Sequence, residues 1–420
     1  MSSPHVSERE RTRVERWLTS HVQGPLAILV GNGSVNDLSF ARSLGRRGVP
    51  TLMLAGKRLL GSYTRHGLVI RMPALEESPA EWLELLELVA SRLVTPGVLF
   101  ATSDEHCLWV GRQAEHLCRT FRFLLPDAET LERIVNKRKQ YSVAEAAGIY
   151  TPKTFYPESV VDVRRLLDTL CYPVILKPYQ SHLARERLAN RKVLVLHSPE
   201  ELLSEYVRCA DVCPFMIQDI IPGGDDALFS YSAFWDEDGR ERAWLTRQKL
   251  RQFPPTFGDG SFQRTVSAPA VADLSRRLLS AFKYHGLVGV EFKWDVRDET
   301  YRLMEINPRT VSGNQLAISA GIDLPWIAYR HLAGFKDAPA PPFQTQVKYV
   351  NEEWDVQAFW VLRKSRKLTF WNWIWSLQGT KAWALSAPDD PFPLLVGMWR
   401  FVSTLLGRLF AGPRLPGINR

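Results

Sequence analysis

Residues 288–309 read VGVEFKWDVRDETYRLMEINPR, and the placement of two glutamates in this stretch decides the fold. From Val288 to Val296, the apolar Val290, Phe292, Trp294 and Val296 alternate with Glu291, Lys293 and Asp295, the period-2 pattern of a half-buried strand. Tyr301 to Ile306 reads as the return strand. A hairpin folded about Asp298, in the polar RDET turn, sets Glu291 opposite Glu305 and puts Asn307 on the same sheet face. Side chains so placed have Cβ atoms about 5 Å apart, and like charges directly opposite are destabilising, so a positive charge is expected between them. Glu291, Glu305 and Asn307 all offer oxygen donors, the set preferred by hard cations such as Mg2+ or Mn2+, and they are the candidate metal ligands. The plainer alternative is a pair of solvated carboxylates on an exposed hairpin.

Three more stretches stand upstream. NKRKQYSVAEAAGIYTPKT (136–154) is a polar helix running into a turn, YPVILKP (172–178) is an apolar strand that ends in Lys177, and MIQDIIPGGDD (216–226) is a strand closed by a Gly-Gly turn. A lysine leaving an apolar strand must bring its ammonium to a partner, because an unpaired buried charge is very costly. In this order, and followed by E-x13-E-x-N-P-R, the four stretches resemble the ATP-grasp superfamily, the fold of carbamoyl phosphate synthetase, biotin carboxylase and D-aspartate ligase. The resemblance covers about residues 25–340.

The resemblance implies an α/β chain in which an N-terminal Rossmann-like domain precedes the ATP-grasp fold. It implies that Lys137 and Lys177 contact the phosphates of ATP. Backbone groups of Gln218, Asp219 and Ile221 would then meet the adenine edge, and Asp226 the ribose. Arg309 would face the γ-phosphate. The stretch LTRQKLRQFPPTFGDGS (245–261) resembles the active-site segment of amino-acid-ligating relatives; Lys249 and Arg251 are expected on one strand face, meeting a substrate carboxylate or the γ-phosphate. The implied activity is ATP- and Mg2+-dependent joining of a small-molecule carboxylate to an amine through an acyl phosphate, with release of ADP and phosphate. Alternatives within the same fold are a nucleotide-binding protein without turnover and a kinase. The chain departs from the pattern after Lys177, where a glycine-rich flap is replaced by KPYQSHLARERLANRKVLVL; Arg185, Arg187, Arg191 and Lys192 either cover the phosphates instead or form a solvated basic loop.

The boundaries expected are a charged segment at 1–24, the Rossmann-like domain at 25–130, a lid at 131–222, the metal-bearing unit at 223–340 and a tryptophan-rich tail at 341–420. LAILVG, VPTLMLA and VLFATSDEH alternate with helical stretches, which predicts a parallel sheet. The loop GNGSVND lacks the third glycine of a dinucleotide fingerprint. Its Asn32, Ser34, Asn36 and Asp37, with Ser103, Asp104 and Glu105, are candidate substrate contacts because ligands sit at the carboxyl ends of such strands; each also reads as a helix cap or turn residue.

The 420 residues include five cysteines in no metal-ligand spacing, and the net charge of +8 suits anionic ligands without a nucleic-acid-binding signature. The first twenty residues are charged and unlike a secretory signal, so a cytoplasmic location is expected. In the tail, residues 393–410 carry Gly397, Arg400, Ser403, Thr404, Gly407 and Arg408 along one helical stripe and apolar side chains elsewhere. That pattern fits a helix lying in the inner membrane interface, and equally one packed on the enzyme or at a homodimer contact.

Overall fold

Strands that are apolar at every position must be covered on both faces, and the first unit does this with helices. In the computed structural model, which describes residues 6–180, 184, 187–188, 191–336 and 338–410 (404–410 by backbone alone), β1 (Ala27–Gly31), β2 (Thr51–Ala55), β3 (Leu68–Arg71), β4 (Gly97–Ala101) and β5 (Phe121–Arg122) form a parallel sheet in the order β3-β2-β1-β4-β5. Around it lie α1 (Glu8–His21), α2 (Val35–Gly45), α3 (Pro79–Arg92), α4 (Asp104–Arg112) and α5 (Ala114–Leu117). The charged segment at 1–24 thus contains a helix: α1 buries Val14 and Leu18, and Arg11 pairs with Glu84 of α3. Gly31 is required by packing, since a Cβ there would lie 2.0 Å from Thr102 Oγ1.

The second unit contains α6 (Ala128–Val135), α7 (Lys137–Ala146), β6 (Thr154–Phe155), α8 (Val160–Leu166), β7 (Val174–Pro178), β8 (Leu194–Leu196), α9 (Pro199–Cys209) and β9 (Phe215–Asp219). Its strands form an antiparallel sheet in the order β6-β9-β7-β8.

The third unit is a seven-stranded sheet in the order β14-β13-β10-β11-β12-β15-β16. Its elements are β10 (Leu228–Trp235), β11 (Glu241–Phe253), β12 (Asp259–Thr265), α10 (Pro269–Ala281), β13 (Gly286–Asp295), β14 (Thr300–Asn307), α11 (Asn314–Ser319), α12 (Leu324–Leu332), β15 (Lys348–Val350), α13 (Glu352–Lys364), α14 (Phe370–Ser376), β16 (Lys381–Trp383) and α15 (Phe392–Phe410). The sheet runs across the boundary expected at 340/341, because β15 pairs with β12 and β16 with β15. Two short strands of the tail are therefore part of the central sheet.

The hairpin β13–β14 pairs Glu291 with Glu305 and Gly289 with Asn307, as the alternation predicts. Its outer arm is shifted: Phe292 pairs with Leu303, which leaves Met304 as an extra residue. The bulge has a packing reason. Leu303 and Ile306 are 0% and 3% exposed, and both can face the core only if the two-residue period is interrupted between them.

α2 forms the seam between the first and third units. Asn36 Nδ2 donates to the Thr310 carbonyl (3.1 Å), Asn314 Nδ2 to Ser39 Oγ (2.8 Å) and Ser43 Oγ to Asp323 (2.6 Å). Arg42, 1% exposed, bonds Asp390 Oδ2 at 2.9 Å and the carbonyls of Ala384, Leu385 and Asp390, tying the segment before α15 to this helix.

Candidate active site

Cross-strand partners share a sheet face, so one row of the central sheet can be read from its register: Arg247 of β11, Ser230 of β10, Glu291 of β13 and Glu305 of β14. Lys249, two residues beyond Arg247, reaches Glu291 at 3.0 Å. From the second unit, Lys137 Nζ lies 2.7 Å from Glu305 Oε1. The positive charge expected between the glutamates is thus supplied by two lysines. Burial alone would raise Glu305, but Lys137, Lys177 and Lys192 outweigh it and hold the carboxyl well below the usual range.

Local structure explains how the lysines arrive. Asn136 caps α7 through a bond from the Lys139 amide, and the Lys137 amide donates to the Tyr179 carbonyl just past β7. The start of α7 and the end of β7 are thereby held side by side, bringing Lys137 and Lys177 to the same charged cluster. The Lys177 ammonium has no hydrogen bond or ion pair with the described residues; burial pushes it down, opposed by Glu305. Lys192 pairs with Asp259 at 2.8 Å, about half exposed, and Arg187 with Asp211; of the other flap residues, Arg185 lies outside the described residues.

Arg309 Nε donates to Asp104 at the start of α4 (2.7 Å), and Nη2 donates to Asn307 Oδ1 (3.0 Å). Burial disfavours its charge, but Asp104 more than restores it. Asp104 therefore links the first unit to this cluster. The other candidates on those loops are structural: Ser34 and Ser103 cap helices, Asp37 is buried accepting from Thr102, Asn36 bridges to Thr310, and Asn32 donates to Glu105.

Arg251 differs from the expectation. The β11–β12 register shifts between Lys249 and Arg251, so the two are not simple same-face neighbours. The Arg251 guanidinium is bound at 2.9 Å by both carboxylate oxygens of Asp355 and lies 4.1 Å from the Phe262 ring centroid, in the packing of α13. The residue missed is Arg247. It is 5% exposed, donates to Ser232 (3.1 Å) and leaves Nε without a partner; burial pushes it down to about 10, with Glu291 opposing. Its signal was present in the same TRQK sequence, two residues before Lys249.

For the adenine side, Gln218 is buried with its amide donating to Thr154 (2.9 Å), and the Asp219 amide donates to the Lys153 carbonyl. The Ile221 carbonyl already accepts from Lys293 (2.8 Å). Asp226 is exposed, and its carbonyl accepts from Gln248.

No group of three or more His, Cys, Asp or Glu side chains among the described residues is arranged to hold a metal. The candidate set is two carboxylates and an amide oxygen, Glu291, Glu305 and Asn307. Hard-oxygen chemistry and a shared face fit an ion that takes its remaining ligands from phosphate and water.

Residues 233–353 match the family described as ATP-grasp in the biosynthetic pathway with Ter operon. The chain is 25% identical to D-aspartate ligase of Enterococcus faecium (strain Aus0004) over 279 residues, 62% of this chain and 66% of that protein, just under two thirds of its length. Among solved structures it resembles an ADP complex of N5-carboxyaminoimidazole ribonucleotide synthetase (TM-score 0.60, 12% identity, 77% of this chain and 81% of that one). It also resembles an L-amino acid ligase from Bacillus licheniformis (TM-score 0.58, 15% identity, 75% and 76%). Fold, motif order and these matches agree: the chain has the ATP-grasp fold. These named relatives are a synthetase and two ligases.

Proposed function

We propose that the protein is an ATP- and Mg2+-dependent ligase that joins a carboxylate to an amine, with an amino acid as one substrate. The observation that carries this reading is the convergence of Lys137, Lys177, Lys249 and Arg309 on Glu291, Glu305 and Asn307. Phosphoryl transfer needs positioned charge more than covalent help from the protein. Lys137 and Lys177 would hold the α- and β-phosphates, Lys137 exchanging its Glu305 partner for a phosphate. A divalent cation held by Glu291, Glu305 and Asn307 would neutralise charge on the β- and γ-phosphates. Arg309, kept charged by Asp104, would face the γ-phosphate, and Lys249 or Arg247 the substrate carboxylate.

A carboxylate oxygen attacks the γ-phosphorus and ADP leaves. The amine nitrogen then attacks the acyl carbon, phosphate leaves, and the nitrogen loses its proton. D-aspartate ligase and the L-amino acid ligase among the relatives support an amino-acid substrate. Purified protein incubated with ATP, Mg2+ and pooled amino acids should release ADP and phosphate together with an amide product, and Glu305→Gln should stop both. ADP formation with a stable phosphorylated product and no amide would favour a kinase; no ADP under any combination would sink the ligase reading.

A further inference from the structure

The last helix packs Leu394 and Val396 on the cluster around Leu60 and Leu385 yet leaves much of its apolar surface to solvent. On α15, Pro393 and Gly397 are buried, and a Cβ on Gly397 would lie 3.3 Å from Leu60 Cδ1. Arg400, the polar residue of that stripe, faces inward: Nη2 donates to the Arg58 carbonyl at 2.9 Å and the guanidinium sits 5.6 Å from the Tyr63 ring centroid. One apolar face points to solvent, with Leu395 53%, Met398 55% and Trp399 73% exposed. α14 does the same with Trp371 69% and Trp375 63% exposed. Both helices are firmly seated. Phe359 of α13 stacks on Trp373, the Trp373 indole donates to Asp355, and Asp355 is clamped by Arg251.

Folded chains rarely leave a broad aromatic surface unpartnered without a partner for it. Charge selects the partner. Between Val356 and Phe410 every charged side chain is cationic except Asp389 and Asp390, and both of these are spent on Arg46 and Arg42. Arg363, Lys364, Arg366 and Lys367, all exposed, lie between the exposed Trp360 of α13 and Trp371 of α14. A second copy would bring the same cations against themselves. Tryptophan with a cationic border is the composition of an interfacial anchor, and no helix among the described residues is long and apolar enough to cross a membrane.

We propose that the exposed tryptophan faces of α14 and α15 rest on an anionic phospholipid surface, with the 363–367 cations at its border. The full-length protein should float with vesicles containing phosphatidylglycerol at least about tenfold more than with pure phosphatidylcholine, and added salt should release it, since several basic residues each contribute to such attraction. The triple variant Trp371→Ser, Trp375→Ser, Trp399→Ser changes solvent-facing residues, so it should keep its ATP affinity by calorimetry and lose flotation. The proposal fails if wild type stays in the aqueous fraction with phosphatidylglycerol vesicles at low salt, or if the triple variant floats equally well. It also fails if light scattering shows a dimer that the triple variant dissociates while neither protein floats, which would make this face a self-association surface.

Discussion

Lys177 and Arg309 both feel the charge of Glu305, and each yields a test. Lys177→Met should weaken ATP binding by about tenfold or more in calorimetry, because under the proposed function a phosphate loses the buried ammonium that would meet it. Arg309→Ala should lower kcat by about 100-fold with little change in the KM for ATP, the pattern of a contact strengthened during transfer; a change in KM alone would remove that role. A separate residue sets an acid limit. His106, 1% exposed beside Trp82 with Nε2 unpartnered, is pushed down to about 4 by burial. The unfolded imidazole binds its proton near pH 6.5, so between that pH and about 4 only the unfolded chain is protonated; stability is full above 6.5 and falls by about 3 kcal/mol toward pH 4. Melting curves across this range should show the decline, and His106→Gln should flatten it. The glutamates were legible in the sequence because burial on one face of a strand imposes a period of two. Arg251 was misread for the same reason: a register shift after Lys249 breaks the period, and nothing in the spacing of TRQKLRQF marks it.

Elements were legible where their apolar pattern matched what they pack against. The parallel strands of the first sheet and the β13–β14 hairpin follow directly from their runs and alternations. The bulge at Met304 follows only from the demand that Leu303 and Ile306 both be buried. α15 was legible as amphipathic but not in its orientation, because an arginine with a carbonyl and a tyrosine ring to meet can face inward. Its entry is fixed by Asp390, 0% exposed, which accepts from Arg42, Thr64 and the Arg65 amide. Asp390→Ala leaves Arg42 buried without its counter-charge and should cost about 3–5 kcal/mol in urea unfolding, with Asp390→Asn recovering part of it. An unchanged midpoint for Asp390→Ala would mean the loop relaxes enough to hydrate Arg42.

At the scale of the molecule, the joining of the tail to the central sheet was not readable in the sequence. β15 and β16 are three residues each, too short for a periodic signal, and their place depends on β12 being free to pair. The seam along α2 has a mechanical meaning. Buried bonds from Asn36, Ser39, Arg42 and Ser43 weld the first sheet to the third and to the segment that starts α15, whereas Lys192 crosses to Asp259 through a half-exposed ion pair. Lys137, on a helix packed against β14, therefore belongs to the same frame as the carboxylate it meets, and the tryptophan-bearing helices are tied to that frame through Arg42 and the Arg251–Asp355–Trp373 chain.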